Sequence, residues 1–60
     1  MKFKKVTEGM LVYRDGTTRA RLTKIGGVWR GTVHQFDHLT YTTSGTYNET
    51  RKAVTDFLKN

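Results

Sequence analysis

Arg19, Arg21 and Thr23 alternate with Ala20 and Leu22, and Arg30, Thr32 and His34 alternate with Gly31 and Val33. If both stretches are strands, a period of two puts all six polar side chains on one face. Arginine's planar fork binds phosphate oxygens or guanine O6 and N7 in pairs, and threonine supplies a hydroxyl and a methyl. The chemistry implied is recognition of an anion rather than bond making. A two-stranded ribbon carrying such groups fits the major groove of B-DNA. Lys2, Lys4 and Lys5 would add sequence-independent phosphate contacts that weaken with salt.

Other chemistries find less support. His34 and His38 stand four apart, a metal-ligand spacing on a helix, but here they flank a strand end and no thiolate or carboxylate cluster completes a site. Ser44 has no partner that spacing places beside it, and Asp37-His38 reads as a turn rather than part of a triad. Gly26-Gly27 is followed by a strand pattern, not by the helix that a phosphate cradle requires. The expectation is a protein that is not an enzyme, with no metal and no cofactor.

The strands that would position the arginines are set by two turn signals, Asp15-Gly16 and Gly26-Gly27, each suited to a two-residue hairpin loop. Loops at those positions pair Arg14 with Thr17, Val12 with Arg19 and Met10 with Arg21, then Ile25 with Val28, Thr23 with Arg30 and Arg19 with His34. Opposed residues share a face. One face then collects Leu11, Tyr13, Ala20, Leu22, Trp29, Gly31 and Val33; the other collects Arg19, Arg21, Thr23, Arg30, Thr32 and His34, with Met10 and Val12 at its margin. Beyond Phe36, Asp37-His38 is either a two-residue loop or part of a longer one, so Tyr41 faces either side. Leu39 to Thr43 is a fourth strand or an extended connection.

From Asn48 the period changes. Ala53, Val54, Phe57 and Leu58 form a helical stripe over about 49–59, with Asn48 as N-cap, Glu49 at the positive end of the dipole and Lys59 at the other. So short a helix is unstable alone and must bury its stripe on Leu22, Trp29 and Val33. The expected fold is α+β: an antiparallel sheet of three to four strands, hairpins at 15–16 and 26–27, covered on one face by the C-terminal helix, with residues 1–8 as a basic lead-in to one small domain. Eleven threonines and no proline favour sheet.

The stretch Gly27-Val28-Trp29-Arg30-Gly31-Thr32-Val33, followed by Tyr41 to Phe57 with Ser44-Gly45-Thr46-Tyr47 and Asn48-Glu49 inside it, resembles the three-stranded-sheet-plus-helix DNA-binding domains. These include the plant AP2-type domain and the arm-binding domains of phage and transposon tyrosine integrases. The resemblance implies that the sheet face away from the helix enters the major groove, through Arg19, Arg21, Arg30 and Thr32. It also suggests a stand-alone phage or mobile-element accessory protein. The dense Arg and Trp run of the AP2 type is missing, and the helix begins Glu49-Thr50-Arg51-Lys52 rather than acidic and Ala-rich.

Charge agrees with that division of faces. The formal charge is +6 in 60 residues. Residues 1–9 contribute +2 and residues 10–36 contribute +4, from Arg14, Arg19, Arg21, Lys24 and Arg30 against Asp15. Residues 37–60 are neutral, with Arg51, Lys52 and Lys59 against Asp37, Glu49 and Asp56. The expected partner is duplex DNA; the alternative is an acidic host protein engaged by the same face, in the manner of a small inhibitor or adaptor. A homodimer through a sheet edge is a third arrangement. No cysteine marks an oxidising compartment, and no apolar run is long enough for a membrane span or signal segment, so a cytoplasmic location is expected, in the host cell if the protein is phage-encoded.

Overall fold

Gly26 and Gly27 both adopt positive φ, 57° and 82°, so the chain reverses in two residues and Ile25 pairs with Val28. A computed structural model, which describes residues 2–59, builds the remaining pairings outward from that turn. Five antiparallel strands form one sheet in chain order: β1 (Lys4–Thr7), β2 (Met10–Asp15), β3 (Thr18–Ile25), β4 (Val28–Gln35) and β5 (His38–Gly45). Helix α1 (Tyr47–Lys59) covers one face, packing chiefly over β4 and β5. The fold is α+β, as expected, with five strands rather than three or four.

The additional strand is the basic lead-in. Lys4–Thr7 folds back on β2 around Gly9 (φ 78°). Val6 is skipped in that pairing, a β-bulge that breaks the alternation by which a strand is read from sequence.

The first turn sits one residue away from its expected place, and the β4–β5 loop lies one residue before the two-residue alternative at Asp37-His38. The first hairpin loop is Gly16-Thr17, with Gly16 at φ 59°, so Arg14 pairs with Arg19 and Asp15 with Thr18. Relative to a loop at 15–16, each β2 residue meets a partner two positions further on. A two-residue shift leaves every side chain on its face, so the expected faces hold although the pairs change. The β4–β5 loop is Phe36-Asp37, both residues at positive φ (53° and 64°).

On β5, Leu39 pairs with His34 and Tyr41 with Val33, which leaves Thr40 as an extra residue whose hydroxyl donates to the Val33 carbonyl at 3.2 Å. That bulge turns Tyr41 to the helix side, where it stacks on Phe57 at 4.5 Å.

The core is small. Ala20, Leu22, Val33 and Val54 are buried, together with Thr50, whose hydroxyl reaches the Trp29 carbonyl at 3.4 Å. Leu11, Tyr13, Trp29, Tyr47, Phe57 and Leu58 pack around them half-buried. Trp29 thus lies at the margin of the core, edge-on to Tyr47 at 4.9 Å. Gly31 is what lets α1 approach: a Cβ there would stand 2.7 Å from Val54 Cγ2 and 2.9 Å from Thr50 Cγ2. The N-cap is Thr46, not Asn48. Its hydroxyl accepts from the Glu49 N–H at 3.2 Å, and its own N–H donates to Glu49 Oε1 at 3.1 Å, a capping box.

Candidate nucleic-acid interface

The face away from α1 is crossed by three rows of opposed residues. The first runs Arg14, Arg19, His34, Leu39; the second Lys4, Val12, Arg21, Thr32, Thr42; the third Met10, Thr23, Arg30, Ser44. All six residues expected on β3 and β4 are therefore brought together. Arg19 and Arg21 stand two residues apart on one strand, about 6.6 Å. Arg21 and Arg30 are diagonal neighbours, about 7–8 Å apart at the backbone. Between the first two rows lies an open depression of about 380 Å³ lined by Val12, Arg14, Arg19, Arg21, Thr32 and His34.

The lysines divide. Lys4 joins the second row, opposite Val12. Lys5 pairs with Leu11, which puts it on the helix side of the sheet, and its Nζ is 2.9 Å from Glu8 Oε1. Lys2 precedes β1 and is exposed.

Electrostatics distinguish the arginines. Arg19 Nη2 donates to Asp37 Oδ1 at 2.7 Å, so the turn carboxylate neutralises one guanidinium and offsets the like charge of Arg14 opposite it. Among the described residues no carboxylate pairs with Arg14, Arg21 or Arg30. The other acids are engaged elsewhere. The hydrogen bond from Lys5 holds Glu8 below its ordinary pKa, and the Thr46 backbone N–H, then the Thr46 side chain, does the same for Glu49. Lys52 bonds Asp56 at 2.8 Å, which lowers the acid and raises the lysine. Asp15 lies 3.5 Å from the Tyr13 hydroxyl. The unneutralised positive charge thus concentrates where the sheet is open.

Arg14, Thr42 and Ser44 belong to this surface and were not among the expected site residues. Arg14 was legible, since it alternates with Met10 and Val12. Thr42 and Ser44 were not, because their facing depends on the bulge at Thr40. The face is also not uniformly polar: Ile25 (59% exposed) and Val28 (51%) form an apolar end beyond Thr23 and Arg30.

Among the described residues no group of three or more His, Cys, Asp or Glu could hold a metal ion, and no helix is long and apolar enough to cross a membrane. The chain matches no protein-family model, no curated protein and no solved structure.

Proposed function

We propose that the protein binds duplex DNA through the open face of its sheet, with Arg21 and Arg30 as the principal contacts. The observation that carries this reading is two guanidinium groups without carboxylate partners on neighbouring central strands, flanked by threonine hydroxyls, in a chain of charge +6. Five strands at about 4.8 Å spacing make a sheet some 19 Å across, wider than the ~12 Å major groove. Only the β3–β4 ribbon enters the groove on this reading. Lys4 on β1 and Lys2 before it then flank the phosphates and supply the salt-dependent part of the affinity.

The test is fluorescence anisotropy of a labelled duplex at 50 and 200 mM salt. Arg21→Ala/Arg30→Ala is expected to lose most of the affinity, at about 1–3 kcal/mol per contact if bases are read, with thermal stability unchanged. Arg19→Ala should cost less, and Asp37→Asn, which frees Arg19, should tighten binding. A wild-type protein that binds no duplex at low salt removes the proposal. The exposed Ile25 and Val28 favour a second reading, an acidic protein partner that covers an apolar end as well as the arginines.

A further inference from the structure

The two edges of the sheet differ in kind. β1 is four residues long, bulged at Val6, and carries Lys4 and Lys5, the devices by which an edge resists further pairing. β5 is eight residues long and holds no Lys, Arg, Asp or Glu, and its bulge at Thr40 leaves Tyr41–Gly45 regular. The hairpin at Gly26-Gly27 fixes which backbone groups of β5 are unpaired. Ile25 and Val28 flank a two-residue loop and bond each other, so by alternation Arg30 and Thr32 bond β3, while Trp29, Gly31 and Val33 bond β5. Thr42 and Ser44 accordingly direct their N–H and C=O groups away from the sheet.

We infer that the protein associates into a twofold dimer by antiparallel pairing of β5 with β5 of a second copy, making one ten-stranded sheet. The inference goes beyond the nucleic-acid reading and does not depend on it. Three features select a second copy as the occupant. An antiparallel edge is complementary to itself, so Thr42 of each copy meets Ser44 of the other and exchanges both hydrogen bonds with it. Charge permits it: pairing along β5 keeps the nearest open-face arginines, Arg30 and its counterpart, three strand spacings or about 14 Å apart, beyond the ~8 Å screening length at physiological salt. Pairing along β1 would instead set lysines directly against lysines.

The third feature is the helix. A twofold axis normal to the sheet places both α1 helices on the same face, and α1 lies over β4 and β5. The β5 side of each helix therefore faces its counterpart across the axis. The middle of that seam is apolar, and Glu49 and Asp56, one turn either side of Ala53, stand at its rim. Phe57 stacks on Tyr41 of the edge strand, and Ala53 lies one turn before it on the same side; both are half-buried in the single chain.

The test is mass in solution, without nucleic acid, by sedimentation equilibrium from about 1 μM to 1 mM. The wild type is expected at twice the chain mass of 6.9 kDa. Thr42→Pro removes an outward donor and no bond to β4, and Ala53→Glu adds a helix-compatible carboxylate to a seam already rimmed by Glu49 and Asp56 of both copies. Each should raise the dissociation constant tenfold or more while the circular dichroism spectrum is retained. Should Thr42→Pro fail to fold, Ala53→Glu carries the comparison alone. A wild type of 6.9 kDa throughout the range, or dimers unaffected by Ala53→Glu, would overturn the inference.

Discussion

Phe36 shows how much one residue can hold against its own preference. A bulky side chain at φ 53° is uncommon, with a left-handed conformation costing roughly 1–2 kcal/mol. It is also 73% exposed, so no burial offsets that cost. The turn persists because its neighbours determine it: the Phe36 N–H donates to the Thr17 carbonyl at 3.1 Å, and Asp37 is held by Arg19. Phe36→Asn, a residue suited to this turn, is expected to raise the melting temperature by several degrees, as about 0.5–1 kcal/mol does in a domain of this size. An unchanged or lower melting temperature would show that Phe36 makes contacts that outweigh the strain. Turn chemistry is also where the sequence was least legible: a Phe-Asp loop carries none of the glycine or asparagine that announces such turns.

At the scale of elements, α1 docks through one close approach and is started by one cap. Gly31→Ala drives a methyl into Val54 and Thr50, so the helix must move outward or the strand bend. A loss of about 1–3 kcal/mol is expected, seen as a lower denaturant midpoint. The cap predicts a pH dependence. Glu49 has its folded pKa lowered by the Thr46 N–H, so its contribution is complete well above the ordinary value of 4.5 and is lost as pH falls through the lowered one. Glu8 and Asp56 act with the same sign, whereas Lys52, raised by Asp56, contributes until strongly alkaline pH. Thermal melts of wild type and Glu49→Gln from pH 7 to pH 2.5 should therefore converge on acidification; parallel curves would mean that the cap is not ionic.

The helical stripe of Ala53, Val54, Phe57 and Leu58 was legible because its period differs from that of the strands. Thr50 was not, since a hydroxyl residue reads as surface until the Trp29 carbonyl is seen above it. The capping box Thr46-Tyr47-Asn48-Glu49 was present in the sequence, but Asn48 offered a competing cap.

For the molecule as a whole, alternation carried most of the information. Between Leu11 and Val33 apolar and polar residues separate so cleanly that the faces survive a two-residue error in the first hairpin. The periphery was less legible for a physical reason: both outer strands contain a bulge, at Val6 and Thr40, and a bulge resets the parity on which face assignment depends. The same parity governs the surface charge, because the arginines share a face only while no residue is inserted between Arg19 and His34.

Finally, each strand lies beside the strand that follows it in the chain. Such an order lets every hairpin close over a short loop, without waiting for distant segments to meet, and α1 settles on the last two strands made. Refolding is therefore expected in milliseconds, as a single exponential and without the slow phase that proline isomerisation imposes, since the chain has no proline. Stopped-flow Trp29 fluorescence measures this. A phase of tens of seconds would point to a late event such as chain association.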